Sequence, residues 1–169
     1  MKILIIGYGN PSRRDDGVGL AAVNGLRRRL GLPFLQDNDD GFADLGHDVD
    51  TLFVQQMMPE LAETLACYDV VYFVDAHVGV YPELIRRTPL MPDPERAVVS
   101  HHVKPGELLD IARRLYGRAP AAELISIRGF DFNFGEQLSP GTAKAVAQVV
   151  DELWQRMQGY VATGEWTCQ

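Results

Sequence analysis

Cysteine is scarce in this chain: Cys67 and Cys168 are the only two in 169 residues. They form no C-x-x-C pair and no finger spacing, which excludes a thiol-redox motif and a disulfide scaffold. A disulfide between them stands as the alternative, but the expectation is a reduced, cytoplasmic protein, with Cys67 in an apolar helical pattern and Cys168 at a frayed end. Positive charge is also short, with 16 Lys and Arg against 23 Asp and Glu, a net charge of −7. That balance argues against a nucleic-acid surface. The one basic run, Arg27-Arg28-Arg29, reads as a solvated helix face. No apolar run approaches the ~20 residues of a membrane span. The opening run Ile3 to Ile6 is too short for the apolar core of a signal peptide, so no leader is expected.

Familiar catalytic signatures are missing too. There is no His-Glu-x-x-His, no Gly-x-Ser-x-Gly and no phosphate loop ending in Lys-Ser/Thr. Gly7-Tyr8-Gly9-Asn10-Pro11-Ser12 begins like a dinucleotide fingerprint but lacks the third glycine. Asp15-Asp16 would also put negative charge where a pyrophosphate needs a positive helix terminus. A small-molecule enzyme built on this loop is therefore the weaker alternative. In the acidic stretch from Gln36 to Asp50, Gly41 as the sixth residue of a calcium loop would put Gln36 first and His47 twelfth, where carboxylates are required. A solvated acidic loop is expected instead.

What is present is an alternation of short apolar runs with helical patterns. Strands are expected at Ile3–Ile6, Thr51–Val54, Asp69–Ala76, Pro82–Thr88 and Ala122–Ile127. Helices are expected over 17–30, from Pro59 to near Tyr68, over 105–115 and from Pro140, with Ser139 as the last N-cap. The stripe of that last helix is read as Ala143, Val146, Ala147, Val150, Leu153 and Trp154. This pattern predicts an α/β three-layer sandwich: a mostly parallel twisted sheet of about five strands flanked by helices. One domain is expected over residues 1–159, with a weakly ordered tail at 160–169.

Carboxylates sit where such a fold binds ligands. Asp15 and Asp16 follow the first strand, Asp75 ends the third, and these strands are usual neighbours in a right-handed doubly wound sheet. Strands lie about 5 Å apart, so Asp16 and Asp75 can converge on one ion, with His102 as a third ligand from a loop at the same edge. Two carboxylates and an imidazole suit a borderline divalent ion such as nickel or zinc. Other readings stand beside this one: Asp15 as an N-cap, Asp75 as the cap of the next turn, His47 and His77 as surface residues. His101 adjoins His102, and spacing alone barely separates them.

Gly7-x-Gly9-Asn10, then Asp15-Asp16-Gly17-x-Gly19, then Val74-Asp75-Ala76, then Ser100-His101-His102 before a helix, together resemble the hydrogenase maturation endopeptidases. These enzymes trim the C-terminal extension from the large subunit of nickel–iron hydrogenases. The resemblance runs in order from Met1 to about Gly117, and more loosely to the last helix. It implies a twisted sheet flanked by helices, and catalytic and metal-binding roles for Asp16, Asp75 and His102. The implied metal is nickel already inserted in the precursor, with zinc or cadmium able to take its place. The implied partner is the large-subunit precursor, cleaved by a monomer without a permanent metal. Gly9 and Asn10 would shape the loop beneath the site. Gly129-Phe130-Asp131-Phe132 would either line a groove for the extension or fill the core.

Two departures stand out. Many relatives have glutamate where this chain has Asp16, and many carry an Asp-Gly-Gly-Thr-like segment where Gln55-Gln56-Met57-Met58-Pro59 stands here. The second points to a different hydrogenase subgroup. The runner-up function is a nickel-sensing binding protein without peptidase activity.

Overall fold

A computed structural model describes residues 1–36, 38–94 and 102–158. Its five strands are β1 (Ile3–Tyr8), β2 (Val49–Val54), β3 (Val70–His77), β4 (Ile85–Leu90) and β5 (Ala121–Arg128). They form one sheet in the order β2-β1-β3-β5-β4. All neighbours run parallel except β4, which pairs antiparallel with β5 at the edge. An edge is where Pro89 can sit without costing an interior ladder bond, and where Arg86 and Arg87 discourage further strand pairing. The expected α/β sandwich is thus the observed fold.

The helices are α1 (Val18–Leu30), α2 (Leu61–Leu65), α3 (Pro105–Tyr116) and α4 (Pro140–Met157). Gly31 and Gly117 end α1 and α3 in the left-handed conformation, with φ of 74° and 78°. Alternation along the strands splits the core in two. Ile3, Ile5, Val74, Ile125 and Ile127 pack with α1 and α4 on one face. Leu4, Ile6, Leu52, Val71 and Phe73 pack with α2 and α3 on the other. Among the described residues no helix is long and apolar enough to cross a membrane.

Several local expectations are corrected. Asp50 is not part of a solvated loop: it is buried in β2 and accepts hydrogen bonds from the Gly46 amide at 3.0 Å and the Tyr68 hydroxyl at 2.8 Å. Arg27 leaves the solvated face predicted for its triplet. It is 1% exposed, with its guanidinium on the Pro33 carbonyl, the Asp44 carboxylate and the Thr51 hydroxyl. His77 is buried, its Nε2 donating to the Glu83 carbonyl and its Nδ1 accepting from the Gly79 amide. In α4 the buried stripe is Thr142, Ala145, Val146, Val149, Val150, Leu153 and Met157, so Ala143 and Ala147 face solvent. Cys67 is half-buried against the second core and is disulfide-bonded, which corrects the expectation that it is reduced. Cys168 and the expected tail at 160–169 lie outside the described residues.

One close approach positions the site. Gly7, near the end of β1, lies backbone to backbone against Gly19 in the first turn of α1. A Cβ on Gly19 would fall 2.5 Å from the Tyr8 nitrogen, and one on Gly7 would overlap the Gly19 carbonyl. Neither neighbour is a side chain that can swing away. Gly19→Ala is expected to cost at least ~2 kcal/mol in urea unfolding. Gly31→Ala meets no atom within 4 Å. It is expected to cost only about 1 kcal/mol, from its left-handed backbone. Equal losses for the two variants would contradict the packing account.

Candidate functional site

The site is built from β1 outward. Tyr8 follows Ile6 by the alternation of a strand, so its side chain lies on the α2/α3 face, partly buried in that core. Gly9 then turns the chain with φ of 133°, a conformation that glycine adopts without strain. A Cβ there would collide with the Asp16 carbonyl. The loop closes through the Asn10 amide, which donates to Asp16 Oδ2 at 2.7 Å. Gly9 and Asn10 thus both pack against Asp16.

The adjacent carboxylates of Asp15 and Asp16 have opposite fates on the short 3₁₀ turn Arg14–Gly17. Asp15 is fully buried. It accepts hydrogen bonds from the amides of Phe130, Asp131 and Ser139 at 2.7, 3.0 and 2.7 Å, and from the Ser139 hydroxyl at 2.7 Å. Burial works against its charge. The hydrogen bonds from Phe130, Ser139 and Asp131 outweigh that and hold the carboxyl below its ordinary pKa. Asp15 is therefore a clamp joining the opening loop to the start of α4, more than the cap of its own helix. Ser139 stands at the expected N-cap but gives its hydroxyl to Asp15 instead of to α4.

Asp75 lies at the end of β3, one register step beyond the Gly7–Val74 pair. Its Oδ1 accepts from the Ala76 amide at 2.7 Å, and its carboxylate takes a hydrogen bond from the Tyr8 hydroxyl. Its pKa is pushed up to about 6, chiefly by burial, with the negative charge of Asp16 adding to the rise. The Tyr8 and Ala76 hydrogen bonds pull the other way. Tyr8 is raised as well, by burial and by the charges of Asp75 and Asp16. Two carboxylates that repel each other at one sheet edge are a fit place for a cation.

His102 is exposed, just ahead of α3. Its chain segment is tied to the end of β2 by the Val103 amide on the Met57 carbonyl at 3.2 Å. Gln55-to-Pro59 therefore forms the shelf beside which His102 stands. Among the described residues, no three His, Cys, Asp or Glu side chains already stand close enough to hold a metal ion. His101 lies outside the described residues. The charge of Asp16 thus acts on Asp75, while His102 lies on a segment hydrogen-bonded to the residues that follow β2. Tyr8 was not singled out from the sequence. Its signal was available, since alternation from Leu4 and Ile6 puts it on the face and strand end next to Asp75.

Two measurements check this electrostatic picture. Asp15→Ala leaves buried amides without an acceptor and is expected to cost ~3 kcal/mol or more. Because the pKa of Asp15 is lowered on folding, its stabilisation is present at neutral pH and lost as pH falls through that lowered value. The gap between wild type and Asp15→Ala should therefore shrink in acid. Asp75 has the opposite sign. Its folded pKa lies above the ~3.9 of an unfolded aspartate, so its favourable contribution is full below about pH 4 and lost as pH rises through about 6. Asp75→Asn should raise stability at pH 7 by about 1–3 kcal/mol, and by little at pH 4. An unchanged or lower stability at pH 7 would contradict the burial assigned to this carboxylate.

No family model matches the chain, and no curated protein matches it. Solved structures do. The hydrogenase maturating endopeptidase HybD from E. coli superposes with a TM-score of 0.67 at 17% identity, over 94% of this chain and 93% of that one. The [NiFe] hydrogenase maturation protease HycI from Thermococcus kodakarensis gives a TM-score of 0.64 at 19% identity, over 93% and 92%. The [NiFe] hydrogenase maturation protease HybD from the same organism gives 0.58 at 20% identity, over 93% and 99%. Nearly the whole length is matched in each case. This chain has the fold of the hydrogenase maturation endopeptidases.

Proposed function

We propose that this protein is an endopeptidase that removes the C-terminal extension of a nickel–iron hydrogenase large-subunit precursor after nickel insertion. The reading is supported by this fold, together with the charge of Asp16 acting on Asp75 near the C-terminal ends of β1 and β3. Open parallel sheets bind ligands at that edge. The mutual repulsion of the two carboxylates is relieved only by a cation or a proton.

The nickel belongs to the substrate. It arrives with ligands from the precursor, so the protein need supply only part of its coordination. Asp16 and Asp75 would contribute oxygen ligands and His102 a nitrogen. His102 would have to join the carboxylates when the precursor docks, since the three do not yet form a cage among the described residues. A set with one imidazole and no thiolate would hold nickel loosely enough to let the shortened product leave. The Tyr8 hydroxyl and the Ala76 amide fix the orientation of Asp75. Orientation of this kind holds the metal, and with it the scissile peptide, in one place. Water adds to the peptide carbonyl, the C–N bond breaks, and the leaving amine takes a proton.

The test is cleavage of a cognate precursor, with and without inserted nickel, followed by mass spectrometry. Shortening of only the nickel-loaded form is expected. Asp16→Ala, Asp75→Ala and His102→Ala should each lower the rate by ~100-fold or more while leaving the fold intact. Full processing by Asp75→Ala would remove the mechanism. A wild-type protein that binds the nickel-loaded precursor and never shortens it would establish the binding-protein alternative.

A further inference from the structure

Most arginines on this acidic chain are paired with carboxylates. Arg14, Arg27, Arg29, Arg86, Arg87, Arg113, Arg114, Arg118 and Arg156 each have an ion-pair partner. Arg128 has none among the described residues. It ends β5 opposite His77, two residues beyond the Asp75–Ser126 pair. Its Nε is buried without any hydrogen-bond partner. Its guanidinium carbon lies 4.9 Å from the ring centre of Phe130, itself 54% exposed. On another side is Gly79, with φ of 94°, where a Cβ would sit 3.3 Å from the Arg128 Nη2. A cation placed on an aromatic face, beside a backbone that leaves it room, with an orphaned buried donor, is short of an anionic acceptor.

Arg128 does not serve Asp75, whose pKa is set by burial, Tyr8, Ala76 and Asp16. It stands apart from the two carboxylates but on the same sheet edge. Strand spacing and rise put its Cα roughly 8 Å from that of Asp75. An extended peptide advances about 3.3 Å per residue. A peptide lying across this edge with its scissile bond at Asp75 therefore passes Arg128 within about three residues of that bond. The planar fork of a guanidinium matches a carboxylate, and in that window the carboxylate is a side chain.

We propose that Arg128, held over Phe130 and beside Gly79, is a specificity residue that binds an Asp or Glu side chain of the precursor within about three residues of the scissile bond. This rests on the peptidase reading above. Phe130 is then not core filling. It is the exposed platform that keeps the guanidinium at the rim, and Gly79 is the gap that admits the acid.

The experiment pairs Arg128→Gln and Arg128→Lys with nickel-loaded precursors in which each acid within three residues of the cleavage point is changed to its amide. Binding and cleavage are both measured, and unfolding midpoints check the fold. Arg128→Gln is expected to raise the dissociation constant and KM about tenfold or more, with the effect falling on KM and not on kcat. Arg128→Lys should recover part of the loss. One amide substitution in the precursor should reproduce it, and combining the two should be no worse than either alone. Wild-type affinity of Arg128→Gln, additive losses, or tight processing of a precursor with no acid in that window would overturn the role of Arg128. Cleavage by the wild-type protein would still stand in those cases. A wild-type protein that neither binds nor shortens the precursor would overturn both readings.

Discussion

The contact between Gly7 and Gly19 is the constraint on which the rest depends. It lets the start of α1 lie directly on the end of β1, with no side chain between them. The eleven residues between must then fold back within a very small space. Gly9 supplies the left-handed turn, and Asn10 pins Asp16 from below. Had either glycine carried a Cβ, the helix would stand off the strand and Asp16 would move away from Asp75. Backbone packing thus sets a distance between two side chains in different parts of the chain. This is how a site can be held to within tenths of an ångström by residues that take no part in its chemistry.

The neighbouring carboxylates divide two tasks. Asp15 is ionised and fully satisfied, and its hydrogen bonds fasten residues 130–139 to the opening loop. The backbone is further zipped there by Arg14 and Gly135, with Gly135 donating back to Ser12. Asp16 and Asp75 are not satisfied in the same way. Burial and the charge of Asp16 raise the cost of charging Asp75. A rigid, well-bonded acid beside a frustrated pair separates the structural carboxylate from the chemical ones. Under the proposed function, the cost of charging Asp75 beside Asp16 would be compensated by the nickel that the precursor brings.

Much of this was legible in the sequence. The alternation of short β-branched runs with helical stripes fixes the layers, because each face of the sheet must be covered by a helix with the matching period. The glycines and paired aspartates after Ile6 mark a candidate site, because ligands bind at the C-terminal ends of parallel strands. What was not legible depends on partners distant in sequence. Arg27 looked like one of three surface arginines, yet the Asp44 and Thr51 side chains and the Pro33 carbonyl bury it. Asp50 looked like loop acid until Tyr68, in the turn between α2 and β3, supplied a donor. The clamp role of Asp15 needed the 130–139 loop, more than a hundred residues later. The Tyr8–Asp75 bond could have been anticipated from strand parity, but only once β1 and β3 were known to be neighbours in register.

The most direct test of the central claim reads the metal itself. The nickel-edge X-ray absorption spectrum of the precursor would be recorded alone, with the wild-type protein, and with Asp75→Ala, under conditions too cold for turnover. The account predicts added oxygen or nitrogen neighbours around nickel when wild-type protein binds, and fewer with Asp75→Ala. A nickel environment that stays unchanged while the wild-type complex forms would contradict it.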